Sequence, residues 1–87
     1  MDLSIKQLRM LREVSRQGTI ASAADQLGYT PSAVSQQLSA AEKTSGIAML
    51  ERVGRNVLLT DAGHELVSHA DVILERLAEA QAAIERV

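Results

Sequence analysis

The chain has 87 residues, no cysteine, a single aromatic residue (Tyr29) and a formal net charge of −2. That length supports one small domain, which buries only about 60% of its unfolded surface, with no disulfide framework or thiolate metal site to reinforce it. The scarcity of aromatic side chains argues against single-stranded nucleic acid, whose bases need stacking platforms, and no apolar run reaches the roughly 18–20 residues of a membrane span.

The first residues, MDLSIKQLRMLREV, intersperse charges and contain no apolar h-region, so they are not a signal peptide. A cytoplasmic location is expected. Ile5, Leu8, Leu11 and Val14 form a stripe that predicts helix 1 from about Ser4 to Arg16, stopped by Gly18. Thr19 is an N-cap for a short helix 2, Ile20 to Leu27, closed by Gly28. Its Ala21, Ala23 and Ala24 are small enough for another helix to approach closely. Tyr29 reads as a turn residue propped against the domain.

Thr30-Pro31 starts helix 3. The hydroxyl accepts from orphan N–H groups, and proline at the first helical position has a suitable φ and loses no needed donor. The helix should end near Thr44 or Ser45, with Gly46 as its stop. Within GYTPSAVSQQLSAAE, Val34, Leu38 and Ala41 share an apolar face, while Ser32, Ser35, Gln36 and Ser39 share another. Most soluble helices expose Lys and Glu instead. Short uncharged hydrogen-bonding groups suit a DNA major groove, where base edges offer donors and acceptors at close range. Gln36, with both a donor and an acceptor, is the better base reader. Thr30 and Ser32, at the helix N-terminus, are placed to hold a phosphate, and Lys43 is a further phosphate contact.

Next, IAMLERVGRNVLLT places short apolar runs on either side of Gly54-Arg55-Asn56, the pattern of a two-stranded hairpin. Such a hairpin cannot stand alone and must pack on the helices. Arg52 and Arg55 flank its turn, which suits phosphate or minor-groove contacts, with Arg55 first choice for the minor groove. The competing role for Arg52 is structural, an ion pair with Glu51 or Glu42. Thr60-Asp61 then caps helix 4, which is expected to run to Val87, about 40 Å at 1.5 Å per residue. Leu66, Ala70, Ile73, Leu77, Ala80 and Ile84 continue a stripe that a three-helix core can cover for only about two turns. The remainder calls for a partner, each buried Leu or Ile contributing roughly 1.5–3 kcal/mol. No stop signal precedes the C-terminus, so a linker and a further domain are expected to follow.

Charge divides along the chain. Residues 1–60 carry seven Lys and Arg against five Asp and Glu, a net +2, whereas residues 61–87 carry two against six, a net −4. His64 and His69 lie five apart, off the spacing for shared metal binding. No nucleophile elbow and no glycine-rich phosphate loop is present. Neither catalysis nor a cofactor or metal is expected.

Two helices joined by a glycine-containing turn, then a hairpin, describe a mainly α fold: a winged helix-turn-helix over residues 1–60, followed by a long dimerisation helix over 61–87. GTIASAADQLGYTPSAVSQQLSAAE and LERVGRNVLLTDAG, with the Leu59-Thr60-x-Ala62-Gly63 junction, resemble the N-terminal DNA-binding domain of LysR-type transcriptional regulators over almost the whole chain. The resemblance implies sequence-specific binding of double-stranded DNA, with helix 3 in the major groove and the wing on the backbone or minor groove. It implies a homodimer through antiparallel helix-4 segments and a tetramer in the full-length protein. A larger C-terminal domain, absent from this chain, would take a small-molecule effector.

There are departures. The family often has a base-reading Gln where this chain has Pro31, so Pro31 stands among the DNA-facing residues without reading a base, and specificity shifts toward Ser32, Ser35 and Gln36. Ala41 and Ser45 stand where Leu is usual, and Leu50 where Phe is usual. The rival reading is a helical protein-interaction module without DNA binding. The weak +2 favours it slightly, whereas the paired wing arginines and the Thr-Pro-capped Ser/Gln helix oppose it.

Overall fold

A computed structural model describes all 87 residues. The elements in chain order are α1 (Ile5–Gln17), α2 (Ile20–Leu27), α3 (Pro31–Ser45), β1 (Leu50–Val53), β2 (Asn56–Leu59) and α4 (Asp61–Glu85). This is the mainly α winged helix-turn-helix with a long final helix. Every helix starts on a hydroxyl: Ser4, Thr19, Thr30 and Thr60 each accept from a backbone N–H in the first turn. Ser4 is therefore the cap of α1 and not its first residue. With Gln7 reaching back to the Ser4 N–H it completes a capping box. α4 ends at Glu85, two residues before Val87.

Three helices supply one core. Met10, Leu11 and Val14 come from α1, Ile20, Ala23 and Ala24 from α2, and Val34, Leu38 and Ala41 from α3, with Met49 beneath the wing. Ala23 and Ala24 are wholly buried, which is what lets α2 sit close to its neighbours. Gly28, at φ 76° between α2 and α3, takes a left-handed conformation that a side chain would resist.

The hairpin pairs Leu50 with Leu59 and Arg52 with Val57. Leu50, Arg52, Val57 and Leu59 therefore share one face, and its apolar members pack on the helical core. Gly54 has φ 62° and Arg55 has no positive φ, the glycine-first arrangement of a type II′ two-residue turn. The wing is anchored by backbone: the Val57 N–H donates to the Gly18 carbonyl at 2.9 Å, and the Thr60 N–H to Met49 at 3.0 Å. Glu42 does not pair with Arg52. Its carboxylate instead accepts from the Met49 and Leu50 N–H groups at 2.8 and 3.3 Å, because the bend after α3 leaves those donors without a ladder partner. Ser45, where the resemblance leads one to expect Leu, accepts from the Ile47 N–H at 3.2 Å and so holds the same bend by polar means.

α4 spans about 37 Å at 1.5 Å per residue and gives the molecule its 48 Å long axis. At its start a side-chain carbon on Gly63 would collide with the Met49 carbonyl oxygen, so glycine permits the close approach of α4 to the wing. Gly63, Ala70 and Leu74 are buried, and Leu66 and Val67 pack on the core. The core thus covers about four turns of α4, not two. Two residues expected at a dimer interface take part in packing within the chain. Ala70 is wholly buried within the chain, and Leu66 packs inward, because α1 lies along that side of α4. Leu74, which the stripe did not single out, joins them. Ile73 and Ile84 are exposed, Leu77 is half-buried and Ala80 is exposed, next to that buried side around the helix. No helix is long and apolar enough to cross a membrane.

Candidate nucleic-acid interface

α3 turns Val34, Leu38 and Ala41 into the core, which leaves Ser32, Gln36, Ser39 and Lys43 exposed on the opposite side. The position of the helix is fixed from behind, where the Gln7 amide of α1 donates to the Gln37 carbonyl and side-chain oxygens, both at 3.4 Å. At the N-terminus the Thr30 hydroxyl accepts from the Ala33 N–H at 3.1 Å, so its own O–H stays free to donate outward. Pro31 occupies the first turn of the helix and is exposed. Ser35 lies at the flank facing the wing and is half-buried.

Arg52 and Arg55 are exposed on the hairpin, and neither they nor Lys43 enter an ion pair. Both arginines line an open groove between the wing and the start of α2, completed by Thr19, Ala21 and Asn56. Docking of Val57 onto Gly18 creates this groove, and no local pattern in the sequence announces it. The guanidinium of Arg52 also crosses to α3, where Nη2 donates to the Ser35 hydroxyl. Wing and helix are therefore joined through two of the residues expected to face DNA. That link joins positions 17 apart in the chain, beyond the reach of helical spacing. Tyr29 is propped as expected: the Lys6 ammonium stands 5.1 Å above its ring, tying the turn to α1.

The structure thus gathers Thr30, Pro31, Ser32, Ser35, Gln36, Ser39 and Lys43 along one helix, to which Arg52 is joined through Ser35, while Arg55 sits at the tip of the same hairpin against the groove beside α2. This surface offers hydroxyl and amide groups in the middle and unpaired cations at the edge. It can bind a polyanion that carries hydrogen-bonding edges, and it frames no nucleophile. On α4, Ile73, Leu77, Ala80 and Ile84 are not enclosed by the chain, and Val72 adds a further exposed apolar side chain.

The model of the bacterial regulatory helix-turn-helix proteins of the lysR family matches residues 5–64. The chain is similar to the "Probable RuBisCO transcriptional regulator" of Cyanophora paradoxa, 39% identical over 82 residues, covering 94% of this chain and 25% of that protein. Among solved structures it resembles the CbnR_DBD–DNA complex, with a TM-score of 0.86 and 33% identity over 97% of this chain and 95% of that one. It also resembles the complex of BenM_DBD with catB site 1 DNA, with a TM-score of 0.91 and 27% identity over 97% and 94% of the two chains. The chain spans about a quarter of the length of the curated relatives it matches.

Proposed function

The chain belongs to the LysR family of bacterial regulatory helix-turn-helix proteins, DNA-binding regulators and not enzymes, and from that premise we propose how it engages double-stranded DNA. α3 lies in the major groove with Ser35, Gln36 and Ser39 toward the base edges, and Gln36 reads a base. Thr30, Ser32 and Lys43 hold phosphates, and Pro31 sets the start of the helix without a base contact. Arg55 reaches the backbone or minor groove next to the wing.

Residues 1–60 form the DNA-binding unit and 61–87 join two copies through Ile73, Leu77, Ala80 and Ile84. A two-fold dimer sets two α3 helices on half-sites about one helical turn, or a multiple of it, apart. In a longer protein the dimers pair into a tetramer, a small-molecule effector acts through a further domain, and the site of action is the cytoplasm.

The observation that supports this reading is the outward face of α3, uncharged but for Lys43, beside two wing arginines that no carboxylate neutralises. The rival, an interaction module without DNA binding, is not favoured, since the CbnR and BenM domains of the same shape were solved on DNA. Arg55→Ala tests the reading by fluorescence anisotropy with DNA from upstream of the gene, across a salt series. Affinity should fall, and the log–log salt slope should become shallower by about 1. Unchanged affinity and slope would refute the placement of the wing.

A further inference from the structure

Arg52 lies on the inner face of the hairpin, opposite Val57, and its Nη2 donates to the hydroxyl oxygen of Ser35 on α3. A guanidinium has only donors, so the serine oxygen is necessarily the acceptor. Two consequences follow. One acceptor site of the hydroxyl is occupied, and a hydrogen bond from a cation polarises the O–H and strengthens it as a donor. No carboxylate of the chain pairs with Arg52, so no ion pair within the molecule draws it away from this bond.

We propose that Arg52 is a specificity-positioning residue: it holds the Ser35 hydroxyl as a hydrogen-bond donor toward the DNA. The inference rests on the reading that α3 lies in the major groove. There, guanine presents N7 and O6, adenine N7 and thymine O4 as acceptors, whereas cytosine presents its N4 amino group as a donor. A serine free to rotate can donate or accept and discriminates among none of these. A serine held by Arg52 keeps one lone pair but donates more strongly than it accepts, so it favours guanine, adenine or thymine over cytosine. Gln36 needs no such help, because its amide presents a fixed donor and a fixed acceptor together.

The test is selection of bound sequences from a randomised double-stranded library, by the 87-residue chain and by its Ser35→Ala, Arg52→Met and Arg52→Lys variants. Circular dichroism melting confirms that each is folded. The unaltered chain should deplete cytosine about three- to tenfold at one position per half-site. Ser35→Ala should abolish that depletion. Arg52→Met should abolish it too while leaving preferences at other positions in place, and Arg52→Lys, still a pure donor, should retain part of it. If Arg52→Met keeps the Ser35-dependent depletion, the inference falls while the groove reading stands. If Ser35→Ala changes no position, the inference falls for want of the contact. If the unaltered chain prefers no base anywhere, the groove reading falls with it.

Discussion

α3 and α4 are built on the same device, apolar residues at helical spacing, yet the device ends differently in each. In α3, Val34, Leu38 and Ala41 are all at most 3% exposed, so the apolar face is fully used within the chain. In α4, Ala70 and Leu74 are buried, but Ile73 is 42% and Ile84 73% exposed. A helix whose apolar face is closed can give its other face to recognition. A helix whose apolar face stays half open is suited to a second copy of itself. The charge follows the same division, +2 over the first 60 residues and −4 over the last 27, which favours approach of DNA to the α3 side and disfavours it along α4.

The sharpest way to break this comparison is Ile84→Glu. In a two-fold dimer the loss is felt twice, roughly 3–6 kcal/mol if both side chains are buried there, on the order of a hundred- to ten-thousand-fold in the dimer Kd. Analytical ultracentrifugation of this variant and of Leu77→Glu should reveal monomers with an intact fold; a dimer persisting in both would remove α4 as the interface. Leu38→Ala is its counterpart on the closed helix. A cavity in the core should cost about 2–5 kcal/mol, read in urea denaturation. A denaturation midpoint equal to that of the unaltered chain would contradict the burial of Leu38.

Much of this was legible in the sequence because its causes are local. A hydroxyl before a stripe and a glycine after it locate α2 to the residue and α3 to within one residue at its end, and Gly54-Arg55 marks the turn of the wing. What local pattern leaves open is tertiary. Periodicity put Ala70 and Ile73 on one stripe, but only the placement of α1 decides that Ala70 and Leu74 turn inward and Ile73 does not. Charge alone offers Arg52 an ion pair with Glu51 or Glu42 as the alternative to a DNA contact. The Glu42 carboxylate goes to two backbone N–H groups and the guanidinium to Ser35, partners that depend on how the wing folds back on α3. The exposed face of α3 could be read from spacing alone, whereas the groove between α2 and the wing could not.

The smallest expected effects compare the caps of the same two helices. The Thr60 hydroxyl accepts from the Gly63 N–H at 3.1 Å and also donates to the Ala48 carbonyl at 2.7 Å, so it both starts α4 and ties it to the wing approach. The Thr30 hydroxyl accepts from the Ala33 N–H at 3.1 Å, and its O–H has no partner within the chain. Loss of an N-cap costs about 1 kcal/mol, and a second hydrogen bond adds about another. Thr60→Ala should therefore destabilise by about 2 kcal/mol and Thr30→Ala by about 1 kcal/mol in thermal unfolding. Equal losses, or the reverse order, would contradict the double use of Thr60. The free O–H of Thr30 makes a separate demand. If it holds a phosphate, Thr30→Ala should weaken DNA binding at temperatures where the variant is fully folded, and Thr30→Ser should restore both properties. A Thr30→Ala variant that is less stable yet binds as tightly would confine this residue to capping.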